Sequence, residues 1–491
     1  MERRAFLGGL LGAAGAPAWA SAPATSARPL PRGDGAAAVL APSAEGLVAR
    51  ANLGGHVGAV VADAETGEVL EAVNPVRALP PASVMKAVTA LYGLEALGPL
   101  HRFETVVVAT GPVANGRLDG DLVLLGGGDP ALDTDGLHAL ALRVKEAGIR
   151  EVRGRFLVCT GPIPTTPRID AAQPDHVGYI PAVSGLNLNF NRVHFEWRPA
   201  QGGDGGHRTT MQARTERFRP DVASARMRIA DRSLPVYTYA ADGGVDAWTV
   251  ARRQLGGSGA RWLPVRNPAL YAGDVMRTML RANGIVVAAA QRIAAVPEGR
   301  VVAREVSAPL DRMARGMLRY STNLTAECIG IAASQARGHA VATPAASAAA
   351  MADWMVGRTG GRRPDLDDHS GLNGTSRITA GDMVRLLTSP GAAATLRPIL
   401  RDMTANGRQA WPDTVPVEAK TGTLNFVSGL AGYFESRSGR SLAFAAFVAD
   451  TERRDALPLD ARERPPGGRG WGSRARQLQF DLIERWWTVH A

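Results

Sequence analysis

Apolar and polar residues alternate over 56–62 and again over 68–72, with Glu65-Thr66-Gly67 between them, and this pattern predicts a β-hairpin. The same pattern returns at 429–434 and 441–448 across the turn residues 436–439. Antiparallel strands from the two ends of the chain can share one sheet. Apolar positions at helical spacing fill 84–97, 310–319, 324–336 and 478–487, so the outer segments read as an antiparallel sheet covered by helices. Residues 99–304 read differently. Strand-like pieces at 105–109, 122–125, 152–159 and 186–197 alternate with glycine-rich loops, which points to one or two β-rich inserted domains in an α/β (α+β) chain. The expected organisation is one unit from 45–98 plus 305–491, with 99–304 inserted into it.

Composition narrows this picture. A chain of 491 residues with 45% hydrophobic and 21% charged side chains fits a globular protein and excludes collagen-like, coiled-coil and disordered classes. No run of ~18 apolar residues occurs, so no membrane span is expected. The 56 basic and 46 acidic residues give a formal charge of +10, which favours an anionic neighbour without naming one. Nucleic acid is not the expected neighbour, because no basic run is interleaved with aromatics and no phosphate loop or zinc-finger spacing is present. The histidines are scattered without paired spacing, so neither a metal nor another cofactor is expected. Only Lys86, Lys145 and Lys420 are lysine among the basic residues. Arginine holds its proton where lysine can be tuned into a base, so each of the three invites a chemical question.

The first twenty residues carry a basic start (Arg3, Arg4), an apolar run from 6 to 18 and the pattern Ala18-Trp19-Ala20, which together read as an export signal. Arg3-Arg4-Ala5-Phe6-Leu7 followed by a glycine-rich, weakly apolar run is similar to a twin-arginine signal, with a plain secretory signal as the alternative. Residues 21–44 are rich in Ala and Pro and read as a flexible tether. Cys159 and Cys328 lie far apart and are expected as buried thiols, not as part of a disulfide framework.

Candidate chemistry begins at Pro80-Pro81-Ala82-Ser83-Val84-Met85-Lys86, where prolines end a strand and a helix is expected from Ser83. Ser83 and Lys86 share a helix face while Val84, Val88 and Leu91 form an apolar stripe. A serine hydroxyl needs a base to become a nucleophile, and a desolvated amine three residues away can serve. The plainer reading is an N-cap serine beside a surface lysine. In Tyr320-Ser321-Thr322-Asn323, Asn323 suits a helix N-cap, or else Ser321 relays a proton and Asn323 offers its amide to a carbonyl. Lys420-Thr421-Gly422-Thr423 offers a cation and hydroxyls to a carboxylate, and its glycine lets a substrate backbone lie close.

SxxK, SxN and KTG in this order resemble the penicillin-binding protein and serine β-lactamase superfamily. The long interval between Lys86 and Ser321 is similar to that of class C low-molecular-mass penicillin-binding proteins, which are D-alanyl-D-alanine carboxypeptidases and endopeptidases with inserted domains. Leu125-Gly126-Gly127-Gly128-Asp129-Pro130 resembles a family glycine turn, the SGLNLNFN stretch from Ser184 to Asn191 a family strand, and Asp368-His369-Ser370-Gly371-Leu372 the family's DGSGL loop. Two positions depart from the pattern. Thr322 stands where the family often has Asp, and Asn373-Gly374 where it has Ser-Arg.

The resemblance implies that Ser83 attacks the penultimate D-alanine carbonyl, Lys86 takes its proton and Ser321 passes one to the leaving amine in the environment of Lys420. It implies that Asn323 orients the substrate amide while Lys420, Thr421 and Thr423 hold the terminal carboxylate and Gly422 lets the substrate lie along the strand, with the backbone N–H groups of Ser83 and Thr423 as oxyanion hole. The partners implied are peptidoglycan stem peptides and acylating β-lactams, in the periplasm or cell envelope. Two other classes stay open: a non-catalytic peptidoglycan-binding homologue, and a Ser-His-Asp esterase or peptidase using His369 beside Asp368. The basic segment with Arg474 and Arg476 carries Leu478, Leu482, Trp486 and Trp487, and its stripe is expected on a sheet and not on a membrane surface. Changing Arg3-Arg4 to Lys-Lys should retain the precursor in the cytoplasm, as cell fractionation would show; normal delivery would mark a general secretory signal instead.

Overall fold

The computed structural model describes residues 41–200, 206–403 and 415–490, so the expected export signal and residues 21–40 of the tether lie outside the described residues. A short helix, α1 (Ala44–Ala51), begins at the N-cap Ser43, whose hydroxyl accepts from the Gly46 N–H. Both expected hairpins form. β1 (His56–Asp63) pairs with β2 (Val69–Val73), and β3 (Arg401–Asp402) and β4 (Val417–Leu424) precede the hairpin of β5 (Val427–Glu435) and β6 (Ser441–Ala449). Pairing of β1 with β6, Val60 opposite Ala445, joins the two ends of the chain in one antiparallel sheet of order β3-β4-β5-β6-β1-β2. Its inner strands are buried almost throughout because helices cover both faces, which is why β6 reads as a continuous apolar run.

One face packs on α1 and on the C-terminal helix at Gly468–Val489, where Trp471, Leu478, Leu482 and Trp486 are buried. That helix starts well before the expected 478, because Gly468, Gly470 and Gly472 dilute its apolar spacing while Trp471 and Ala475 still anchor it. Its stripe is spent on the sheet.

The other face meets a layer of helices: α2 (Met85–Leu97), α3 (Leu310–Tyr320), α4 (Asn323–Ala336), α5 (Pro344–Thr359) and Ala380–Leu387. The expectation of a one-sided stripe on α2 is corrected here. Residues from Met85 to Leu94 are all buried, so this helix runs through the middle of the layer and takes Lys86 into the interior with it.

Residues 104–306 build further sheets around their own apolar core. A five-stranded sheet joins Gln291–Ile293, Phe156–Cys159, Leu122–Leu125, Glu104–Ala109 and Arg300–Val306, and the helices Thr134–Glu146 and Pro268–Ala282 pack on that core, although none was expected in this block. The strand expected over 152–159 is divided between two sheets as Glu151–Val152 and Phe156–Cys159. The strand expected over 186–197 begins only at Arg192. Asn189, Phe190 and Asn191 have φ of 49°, 57° and 51°, a left-handed turn that asparagine tolerates. Side-chain amides replace the ladder there: Asn191 donates to Ala182 O at 2.9 Å and to Asn187 Oδ1 at 2.7 Å. Cys159 and Cys328 are free and buried. Ile163 and Val183 of this block pack against Leu324, Cys328 and Ile331, so it leans on α4.

Gly330 fixes a close contact inside that layer. A Cβ there would stand 2.2 Å from the His369 ring. Alanine gains about 1 kcal/mol of helix propensity, but overpacking costs about 1–3 kcal/mol, and so severe a clash belongs at the upper end. Gly330→Ala should therefore lower the urea midpoint at unchanged slope; a raised midpoint would show that the loop carrying His369 yields freely.

Candidate active site

The three sequence strings meet at one cleft. Prolines at 80 and 81 end the preceding extended segment, and the chain turns through a 3-10 helix, Ala82–Val84, before α2 begins at Met85. Ser83 therefore sits on the turn at the head of the buried helix. Lys86 lies one turn further, fully buried, with Nζ 2.9 Å from Ser83 Oγ and donating to the Ser370 carbonyl at 2.7 Å. Burial pushes this amine down to about 8, against the pull of the Asp368 and Glu327 carboxylates.

Ser321 ends α3 in the left-handed region at φ 57°. Lys420 of β4 donates to Ser321 Oγ at 3.2 Å and to the Thr421 carbonyl at 2.7 Å. Burial, then repulsion from Lys86 and Arg401, holds Lys420 well below the usual lysine range. Close approach brings β4 against the Ser83 turn. A Cβ on Gly422 would lie 2.6 Å from Pro81 O and 3.0 Å from Ser83 N, so only glycine admits this contact.

Asn323 is the first residue of α4 and does not cap it, contrary to the N-cap reading. Its side-chain amide donates instead to the Tyr179 carbonyl at 2.8 Å, tying the site to the middle block. Ser83, Ser321, Asn323 and Thr423 line a cleft of about 950 Å³, with Tyr179 and Arg454 on its other walls. Thr421 and Gly422 are on the same strand but outside that lining.

Sequence reasoning missed the buried carboxylate of Glu327, and it read Asp368 only as part of the loop motif or as a partner for His369. Glu327 on α4 accepts the N–H groups of His369, at 3.2 Å to each oxygen, and of Ser370 at 2.9 Å. Asp368 accepts Ser370 Oγ at 2.7 Å and the N–H groups of Leu372 and Asn373 at 2.8 and 3.0 Å. Burial raises both acids, Glu327 to about 8, and each pulls on Lys86. The available signal was one charge inside the apolar run Leu324–Ala333 of a helix.

A Ser-His-Asp arrangement is absent from this cleft. The His369 ring is sealed inside, 2.8 Å from Ser347 Oγ, and burial pushes it down to about 3. Asp368 spends its oxygens on the loop and not on that ring.

Comparison with known proteins shows the family and the fold. The family model for "D-Ala-D-Ala carboxypeptidase 3 (S13) family" matches residues 41–462. A D-alanyl-D-alanine carboxypeptidase from Actinomadura sp. is 29% identical over 431 residues, covering 79% of this chain and 76% of that protein. The D-alanyl-D-alanine carboxypeptidase DacB of Haemophilus influenzae is 23% identical over 433 residues, covering 80% of this chain and 85% of its own. Crystal structures of that organism's penicillin binding protein 4, free and complexed with a β-lactam, superpose with a TM-score of 0.72 at 20% identity, covering 91% of this chain and 99% of theirs. With the family match spanning most of its length, this chain belongs to the D-Ala-D-Ala carboxypeptidase 3 (S13) family of serine peptidases.

Proposed function

We propose that this D-Ala-D-Ala carboxypeptidase works through an acyl-enzyme on Ser83, acting on peptidoglycan stem peptides. The observation that carries the reading is the buried Lys86 amine 2.9 Å from the Ser83 hydroxyl. An amine brought down to about 8 is neutral in part at neutral pH and can take the hydroxyl proton as Ser83 attacks the penultimate D-alanine carbonyl. The developing oxyanion faces the backbone N–H groups of Ser83 and Thr423, a role supported by the tight approach of Gly422 to Ser83 N.

Ser321, bonded to Lys420, is placed to pass a proton to the leaving D-alanine nitrogen. An arriving substrate carboxylate stabilises the charged form of Lys420, which burial alone disfavours, so Lys420 with Thr421 and Thr423 reads the C-terminus. Asn323 orients the substrate amide beside Tyr179. Water then releases the acyl group. Cross-link cleavage breaks the same bond type, and endopeptidase action belongs to the same proposal. A β-lactam presents a like acyl group whose leaving end stays tethered, so it should acylate Ser83, in keeping with the β-lactam complex of the Haemophilus protein.

Within this reading 45–98 and 305–491 form the transpeptidase-like unit and 99–304 its insertion, supported by their separate apolar cores. Delivery to the periplasm or cell envelope by a twin-arginine signal rests on residues 1–20 alone.

Benzylpenicillin should add one drug mass to the wild-type protein and none to Ser83→Ala or Lys86→Arg, because guanidinium keeps its proton. Intact-mass spectrometry reads this directly; label on Ser83→Ala would reject the nucleophile, and label on Lys86→Arg the base. Thr423→Val keeps the shape and the backbone N–H but loses one hydroxyl. It should cost about 1–3 kcal/mol in kcat/KM on peptides ending in a free D-Ala-D-Ala carboxylate, and less on amidated ones. Equal losses on both would show that Thr423 does not read the carboxylate.

A further inference from the structure

Glu327 does not line the cleft, yet it grips the backbone of the residue that Lys86 depends on. The Ser370 N–H donates to Glu327 Oε1 at 2.9 Å, and the carbonyl of the same residue receives Lys86 Nζ at 2.7 Å. The neighbouring His369 N–H also donates to both Glu327 oxygens, while the His369 carbonyl accepts the Thr89 hydroxyl of α2 at 2.6 Å. Glu327 and Lys86 therefore hold opposite sides of one short stretch of loop, and Thr89 prevents it from sliding along α2. Asp368 stiffens the next turn from within the loop. A carboxylate buried with no outlet to solvent is costly unless its oxygens are filled, and here backbone N–H groups fill them.

We propose that Glu327 is a positioning residue for acylation, fixing the Ser370 peptide that aims the Lys86 amine at Ser83 and acting as that amine's counter-charge. This rests on Lys86 being the base. The groups that face Lys86 are Glu327 from α4, Asp368 from the loop and Lys420 from β4. His369 beside them stays neutral, its ring pushed down to about 3, and burial keeps the Cys328 thiol protonated. A negative charge at 327 favours the ammonium form of Lys86, so removing it lowers the pH at which the amine becomes a base. Burial and the Asp368 charge push the Glu327 carboxyl up while the Lys86 ammonium pulls it down, so the two groups titrate as one pair in which the charged form of each favours the charged form of the other.

The test is the pH profile of the second-order rate constant for acylation by benzylpenicillin, measured for wild type, Glu327→Gln, Glu327→Asp and Lys86→Arg, each with its thermal unfolding. Gln removes the charge and turns an amide donor toward the His369 N–H. It should slow acylation by on the order of tenfold and move the acid limb to lower pH by roughly one unit. Asp keeps the charge but shortens the reach, and should lose rate with the limb unmoved. A purely structural role would slow Glu327→Gln without moving its limb, and that result overturns the proposal. So does a Glu327→Asp protein that acylates at the wild-type rate. Should Glu327→Gln not fold, the aspartate variant decides, since a displaced limb in it is incompatible with retained counter-charge. Acylation that survives in Lys86→Arg rejects the base assignment instead, whatever the Glu327 variants do.

Discussion

Lys86 is a fully buried amine, and the architecture around Ser83 follows from keeping it there. An ammonium in such a place must be compensated or give up its proton, and the protein does part of each. The Ser370 carbonyl and two carboxylates hold the charged form within reach, while complete burial brings the proton near release. Neither is available on a helix with one buried stripe. Burial of α2 on all sides, with α4 and α5 packed beside it and the sheet on the remaining side, is what makes a lysine at this position chemically useful.

The same constraint explains how strand and helix are brought together. Gly422 removes the side chain that would separate β4 from the Ser83 turn, so two backbone segments far apart in sequence come into close approach. Lys420 enters on that strand and meets Ser321 at a helix end whose left-handed backbone turns the hydroxyl toward the cleft lining. Two buried lysines near each other repel, and the repulsion lowers the second amine further.

The middle block meets the site by direct contact, with Gln173 and Tyr179 on the cleft wall. Its Tyr179 carbonyl takes the Asn323 amide, and Ile163 and Val183 pack on Leu324, Cys328 and Ile331 of α4. The last segment closes the ring from the other side. Glu463, held far down by His176 and Arg261, ties the chain before the C-terminal helix back to that block, and Arg462 donates to the Ala172 carbonyl at 2.6 Å. The cleft walls are thus shared among segments that have separate apolar cores.

Local order determined much of what the sequence alone could tell. Alternation and turn residues place both hairpins, because a strand that pairs at a tight turn writes its period into neighbouring positions. Three short strings place Ser83, Lys86, Ser321, Asn323 and Lys420, because serine, lysine and glycine at those spacings carry chemical meaning before any fold is known. What the tertiary structure decided is non-local. Helices at 134–146 and 268–282 are hidden by glycine-rich surroundings, and the asparagine turn at 189–191 reads as strand because its left-handed backbone is held by Asn191 side-chain bonds to Ala182 O and Asn187 Oδ1, which leave no mark on the apolar pattern. Glu327 gave only the faint signal of a charge in an apolar helix. Its partners lie more than forty residues away on a loop, and the low dielectric that couples it to Lys86 exists only once α2, α4 and that loop have excluded water from between them.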